Sequence, residues 1–503
     1  MLDPHQIQKM DMGEVLLQKV MPARSTCYDE RNTISMRGEA FRMEQNSMNH
    51  WAYRDFHDLG ISCGRTIKRF VRSMITLSEK ISTSIAGASE NKAEAKAIYR
   101  LIDNKKLTEA AILQAHRKAT IQQIKKQGES IILAVQDTTM LNYTSHPKTK
   151  GLGDFGASVH HKGLIVHSSI AVTPDGVALG LLDQFVWTRD LEERGKRTTK
   201  RQRPIEEKES YKWLKSMDNS CTDMPKAIRL VHIGDREADI YEFFDHATAN
   251  KQDFLVRVVQ NRMTTEATKL FDQVKQVPSA SQIIVEVPRD TRRNLPKREV
   301  TLAIRYSQVQ IAHPVKMPNT SVQNPTLSLS IVHVQERNPL PEVGPIEWYL
   351  VTSMKVTNLA EAVEKVNWYI HRWKIERFHY ILKNGCQVEK LQSRTAERLE
   401  KYILLYSIIS VRILGMTYLA RQHPEASCTM FLEEEEWRVL YCISNRTSLP
   451  PSTPPTIKEA VLYLAKLGGF LGRKGDGDPG VKVIWKGFNQ LHTILKYYTY
   501  LLP

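Results

Sequence analysis

Two short apolar runs, each ending on an aspartate, constrain this chain more than anything else in it. "SIILAVQDTTML" reaches Asp137 through an unbroken series from Ile131 to Val135, and "AIRLVHIGDREADIYEFFDHA" reaches Asp235 through Leu230, Val231 and Ile233. A strand with one wet face alternates apolar and polar residues; a near-continuous apolar run reads as a strand covered on both faces. The second run passes straight into a helical pattern, so a strand, a helix and a covered sheet belong together. An α/β fold is expected, with both aspartates delivered to the edge of the sheet where its strands end.

The rest of the chain divides around these strands. Residues 1–48 have little periodicity and read as a leader, disordered or the result of a start placed upstream of Met48. Residues 49–126 are helical in pattern, with a cap expected at Ser89 and a turn at Asp103–Asn104. A plain solvated bundle and a DNA-contacting one stay equally open for this segment. Residues 127–250 hold the two apolar strands and a hairpin, "GLIVHSSIAVTPDGVALGLLDQFVW", that turns at Pro174–Asp175–Gly176. A highly basic loop at 194–203 follows. Residues 251–357 read as antiparallel sheet, residues 358–421 as two helices (359–383 and 395–421), and 422–503 as shorter helices divided by "SLPPSTPP".

"WYIHRWKIERFHYILKNG", Trp368–Gly385, raises a sharper question. On one continuous helix at ~100° per residue, Tyr369, Arg372, Glu376 and Lys383 fall within about 60° of one another. Ile370, Ile375, Phe378, Ile381 and Leu382 take the opposite, buried arc. A solvated face with an Arg372–Glu376 pair is one reading, although Arg preceding Glu is the weaker order for such a pair. Chemistry is the other. Asp137, Asp235 and Glu376 could converge, and three carboxylates at one point repel unless a cation sits among them. Oxygen-only ligation selects Mg²⁺, with Mn²⁺ as the alternative. Two such ions ~3.5–4 Å apart would suit phosphodiester cleavage. Arg372 and Lys383 would then meet flanking phosphates.

Charge points the same way. The chain carries a formal charge of +16 and a pI near 9.4, which favours a polyanionic partner such as nucleic acid.

These residues resemble a known group. Y-x-x-R-x-x-x-E-x-x-x-x-x-x-K at Tyr369, Arg372, Glu376 and Lys383 is similar to the YREK signature of bacterial insertion-sequence DDE transposases. "QDTT" and "DREADI" resemble the segments that carry the first two acids of that group. "SENKAEAKAIYRLI", "EKESYKWL", "IEWYLVTS" and "LAKLGGFLGRK" follow in the expected order. The resemblance runs from about Trp51 to the C-terminus and is to the cut-and-paste type found in kanamycin-resistance composite transposons.

The resemblance implies an RNase H-like catalytic core interrupted by an antiparallel β-sheet insertion, with N-terminal and C-terminal helical domains. It implies that 49–126 reads the terminal inverted repeats, that 422–503 pairs two protomers as a homodimer, and that the bacterial cytoplasm, at the nucleoid, is the setting. It implies Asp137, Asp235 and Glu376 as catalytic metal ligands. DNA contacts implied are Tyr369, Arg372 and Lys383 on phosphates, Trp348 and Trp373 against a flipped base, and Arg257 and Arg100. Tyr380 and Gln392 stand where relatives carry basic residues.

Other classes fit less well. "GRKGDGDPG" at 472–480 is not a P-loop, so no ATP is expected. No Cys pair has C-x-x-C spacing, and His160–His161 and His232 lack companions at zinc spacing. "YILLYSIISVRILGMTYLA" is apolar enough to approach membrane-spanning length, but Arg412 in its middle favours a buried core helix. The remaining alternatives are a nuclease of the same core without strand transfer, and an inactive DNA-binding relative.

Overall fold

The computed structural model describes residues 50–81, 84–154, 161–189, 203–287, 298–314, 323–340 and 344–498. The expected leader at 1–48, and the basic loop at 194–203 apart from Arg203, lie outside the described residues.

Five helices come first: α1 (Trp51–Phe56), α2 (Gly64–Glu79), α3 (Ile85–Ala88), α4 (Lys92–Ile102) and α5 (Glu109–Gln127). Asn91, rather than Ser89, caps α4. Its side chain accepts from the Glu94 amide, while the Ser89 hydroxyl is turned back on the Ile85 carbonyl that ends α3. Gly128, at φ 72°, closes α5 in the left-handed conformation that a side chain would resist.

The sheet then forms from β1 (Ile131–Asn142), β2 (Gly153–Asp154), β3 (Lys162–Val172), β4 (Ala178–Trp187), β5 (Arg229–Gly234) and β6 (Asp253–Val258). Helix α6 (Tyr211–Cys221) precedes β5, and α7 (Tyr241–Ala249) links β5 to β6. After α8 (Leu270–Gln276) come β7 (Ser281–Val287), β8 (Arg298–Ala312), β9 (Thr326–Glu336) and β10 (Glu347–Thr352). All ten described strands join one sheet in the order β2-β3-β1-β5-β6-β10-β9-β8-β7, with β4 also on β3. β1, β5 and β6 are mutually parallel; the other pairings are antiparallel. The antiparallel strands at 281–352 therefore extend the central sheet, because the last of them, β10, pairs directly with β6.

Parity along the strands sorts the two faces. Leu133, Val135, Val231, Ile233 and Leu255 enter the core that contains the helices after residue 358. Phe254, Val256 and Val258 join Trp213, Phe243 and Phe244 on the other side. Each fully buried Leu, Val or Phe contributes about 1.5–3 kcal/mol, so both faces hold the sheet in place.

The C-terminal half supplies α9 (Leu359–Ile370), α10 (Trp373–Tyr380), a π turn at Ile381–Gly385, and the 27-residue α11 (Ala396–Gln422). It ends in α12 (Glu434–Asn445), α13 (Ile457–Leu467) and α14 (Val481–Tyr498). α11 is the one described helix long and apolar enough to cross a membrane, and 89% of that window is buried inside the protein. Arg412 lies within it with its guanidinium 4.2 Å from the Trp51 ring. Glycines let α13 meet α14 backbone to backbone. A Cβ on Gly468 would fall 1.9 Å from the Val483 carbonyl oxygen, and one on Gly487 would fall 1.8 Å from that of Leu464.

One continuous helix over 359–383 is not what forms. The chain breaks at His371 and Arg372, where His371 N–H bonds the Trp368 carbonyl and Arg372 N–H that of Tyr369, three residues back in each case. His371 is held from outside: its Nε2 is 3.0 Å from the Pro174 carbonyl oxygen, in the β3–β4 turn. A Cβ on Gly176, at φ 99°, would strike the His371 ring at 2.7 Å, so glycine is what lets the turn close on it. The break also corrects the helical wheel. Ile370 is 37% exposed and Tyr369 is buried, whereas Ile375, Phe378, Ile381 and Leu382 are buried as the spacing predicts.

Candidate active site

Val135 and Ile233 are the last pair of the parallel β1–β5 ladder, so Asp137 and Asp235 each stand two residues past it. Asp235 follows the end of β5, whereas β1 runs on to Asn142 against β3, so Asp137 lies within its strand and not at the strand end expected from the apolar run. Both share parity with the residues facing α9–α11, and α10 presents Glu376 to the same region. After Asp235 the chain turns sharply: its carboxylate accepts from the Glu237 amide at 2.8 Å and caps a short 3₁₀ turn. Gly234 permits this, since a Cβ there would lie 2.6 Å from that of Ala238.

Asp137 is strongly perturbed. Burial first, then the charge of Asp235 and that of Glu376, push its carboxyl up to about 7. The Thr138 amide, 2.7 Å from Oδ1, and the Arg372 guanidinium oppose the shift without cancelling it. Arg372, itself buried, lies with Nη1 3.7 Å from Asp137 Oδ2 and Nη2 2.5 Å from Glu376 Oε1. Its Nε is buried with no hydrogen-bond partner. The guanidinium thus stands between two of the acids. Among the described residues no three His, Cys, Asp or Glu side chains are grouped closely enough to form a ready-made metal cage. The expected meeting of three acids at one point is corrected accordingly: all three share one electrostatic field, and a cationic side chain separates Asp137 from Glu376 because buried like charges require a counter-charge.

The residues expected at DNA surround this core. Tyr369 packs edge-on against Trp348, ring centroids 5.4 Å apart, and burial raises its hydroxyl pKa. Arg257, on β6, stands opposite Leu350, with Nη2 3.4 Å from the Glu347 carbonyl oxygen; its charge reaches Tyr369. Lys383, in the π turn, donates to the Met140 carbonyl at 2.7 Å, three residues beyond Asp137 on β1, and burial lowers its pKa. Trp373 is 55% exposed beside Arg372, whose guanidinium is 5.2 Å from its ring. Arg100 is exposed in the last turn of α4, on the N-terminal helices. The structure therefore gathers Trp348, Tyr369, Arg257, Arg372, Glu376, Asp137 and Asp235 into one neighbourhood, and Arg100 belongs to another element.

A buried polar file on the reverse face of β1 was not foreseen. His167 and His232 look like strand residues in apolar runs, and their polar company shows up only through cross-strand register, which one sequence does not reveal.

Three protein-family models match the chain. Residues 48–107 match a transposase DNA-binding domain, 223–412 a transposase DDE domain, and 408–501 the dimerisation domain of Tn5 transposase. The chain is a DNA transposase of the DDE class. Such domains use divalent metal ions and have an RNase H-like core; β4-β3-β1-β5-β6 with its covering helices is the part of this transposase's sheet that carries the two aspartates. A cryo-EM structure of a piggyBac transposase synaptic complex with hairpin DNA is also similar, over 88% of this chain and 74% of that one, at 9% identity and a TM-score of 0.34. That likeness is too slight to place any residue.

Proposed function

We propose that this transposase cuts out an insertion sequence at its terminal inverted repeats and joins the freed 3′ ends to target DNA, with Asp137, Asp235 and Glu376 as its catalytic acids. One observation supports the assignment: adjacent parallel strands bring Asp137 and Asp235 out next to each other, and the Arg372 guanidinium ties Asp137 to the helix-borne Glu376, with burial first and the neighbouring carboxylates second holding Asp137 up to about 7.

The donor set fits divalent cations. All three ligands would be carboxylates, the preference of Mg²⁺ or Mn²⁺, and they face one guanidinium, that of Arg372, which pairs with Asp137 and Glu376. Two bound ions would activate the attacking oxygen and stabilise the leaving one. Arg372 then has to leave the acids. Its unpartnered Nε already marks it for another acceptor, and a DNA phosphate offers one. Tyr369 and Lys383 would hold neighbouring phosphates.

The bond changes are those of a hairpin pathway. Water attacks the phosphodiester at the element's end and leaves a 3′-hydroxyl and a 5′-phosphate. That hydroxyl attacks the opposite strand, closing a hairpin and releasing flanking DNA. A second water reopens it, and the 3′-hydroxyl attacks target DNA. Hairpin closure forces a base out of the stack, and Trp348 and Trp373 would receive it. Residues 49–126 would read the ends, and 422–503 would pair two protomers as a homodimer. This is the cut-and-paste chemistry of transposases from kanamycin-resistance composite transposons, performed in the bacterial cytoplasm without ATP.

Incubation with a duplex carrying the element's own end, Mg²⁺ and a target plasmid tests the reading. Hairpins followed by joined products support it, cleavage without joining makes the protein a nuclease, and binding alone makes it an inactive relative. Glu376→Gln is expected to abolish cutting and retain end binding; cutting that survives this change would sink the site assignment.

A further inference from the structure

Behind Asp137, on the reverse face of the sheet, five side chains form one file. The Thr138 hydroxyl is 2.9 Å from His167 Nδ1, and His167 Nε2 is 3.3 Å from Gln136 Oε1. Gln136 Nε2 is 3.1 Å from His232 Nδ1, and His232 Nε2 is 3.7 Å from Cys221 Sγ. Thr138 and His167 are direct cross-strand partners of β1 and β3. Because side chains alternate along a strand, Gln136 and Thr138 point away from the acids while Asp137 points toward them.

The file has one consistent direction. His167 is fully buried, edge-on to Trp213 with centroids 4.9 Å apart, and burial keeps both histidines neutral. A neutral imidazole has one N–H and one lone pair. Gln136 Oε1 can only accept, so His167 carries its proton on Nε2, and its bare Nδ1 accepts from the Thr138 hydroxyl. Gln136 Nε2 can only donate, so His232 carries its proton on Nε2, facing Cys221. Every polar atom in the file has one role, and exchanging any one leaves a buried group unpaired.

We propose that His167 is a positioning residue for the cleavage chemistry: from the opposite face it pins both neighbours of Asp137 and so fixes the direction in which that carboxylate leaves β1. The link to the acid is the Thr138 residue itself. Its hydroxyl is engaged by His167, and its backbone N–H is thereby held 2.7 Å from Asp137 Oδ1. The role rests on reading Asp137 as a catalytic acid. Partners that hold a ligating carboxylate from behind typically change metal affinity or activity by ~10–100-fold when removed.

The experiment uses the full chain on the end-bearing duplex. His167→Leu keeps much of the ring's volume and removes both hydrogen bonds; Thr138→Val removes one hydroxyl at nearly constant shape. Both are expected to slow cutting by about 10–100-fold and to weaken Mn²⁺ binding, read by electron paramagnetic resonance, by a comparable factor. End-DNA affinity should stay within about twofold, because phosphate contacts rather than Asp137 set it. The double variant should be little worse than His167→Leu alone, since both break one link. His167→Asn, which can place an acceptor where Nδ1 stood, should recover much of the loss. Wild-type cutting and Mn²⁺ binding in Thr138→Val would overturn the proposal even if His167→Leu does not fold. Unchanged cutting and Mn²⁺ binding in Asp137→Asn would instead remove the reading of the site on which the proposal stands.

Discussion

Asp137 should destabilise the metal-free transposase, and replacing it by asparagine should make the fold stronger. The carboxyl has an ordinary pKa of 3.8 and is held at about 7 in the fold, principally by burial and then by Asp235. A carboxyl raised on folding costs stability as pH climbs, because the unfolded chain loses the proton first. The cost begins near pH 4, grows through the window between the two values, and is complete above pH 7. At about 1.4 kcal/mol per unit the full effect is about 4 kcal/mol, of which about 1.5 kcal/mol is already present at pH 5. Asp137→Asn keeps the acceptor for the Thr138 amide and removes the charge, so its advantage over the parent should widen by about 2.5 kcal/mol between pH 5 and pH 8. Losing the attraction of Arg372 offsets a minor part. Denaturant unfolding in EDTA at both pH values measures this, and Mg²⁺ should stabilise the parent while leaving the variant unmoved. A variant less stable than the parent at pH 8, or an advantage that does not change with pH, would refute the reasoning.

Other consequences are as direct. Arg372→Ala removes the guanidinium that lowers Asp137, so the acidic limb of the pH–rate profile for residual cutting should move upward. Gly176→Ala combines a φ of 99° with a 2.7 Å collision against His371; a loss of about 1–3 kcal/mol is expected in thermal unfolding, together with slower cutting as Arg372 is displaced. Trp373→Ala, at a 55% exposed site, should change stability by less than about 0.5 kcal/mol yet reduce the yield of hairpin relative to nick on a denaturing gel. Gly487→Ala should push α14 off α13 and weaken protomer pairing on DNA, measured by sedimentation.

The strands were legible because burial on two faces writes itself into composition: β1, β5, the β3–β4 hairpin and the four antiparallel strands at 281–352 stand where apolar runs and turn residues put them. Their joining into one sheet was not, because the β6–β10 pairing links residues about ninety positions apart. The break at His371–Arg372 escaped for a related reason. Both sides of it have helical periodicity, and what interrupts them is the Pro174 carbonyl, distant in sequence. Ile370 accordingly turned outward and Tyr369 inward. Tyr369, Arg372 and Glu376 do come together with Asp137 and Asp235; the guanidinium between two acids depends on tertiary burial, which spacing alone does not specify.

The long helix α11 has a consequence for how two protomers could act as one. The DDE match ends at residue 412 and the dimerisation match begins at 408, both inside its 27 residues. At 1.5 Å per residue it is a rod about 40 Å long with no joint where the two modules meet. Its first half packs behind α10, its second against α13 and α14. A displacement at the end matched by the dimerisation model would therefore be carried along one rigid rod to the helix that bears Glu376.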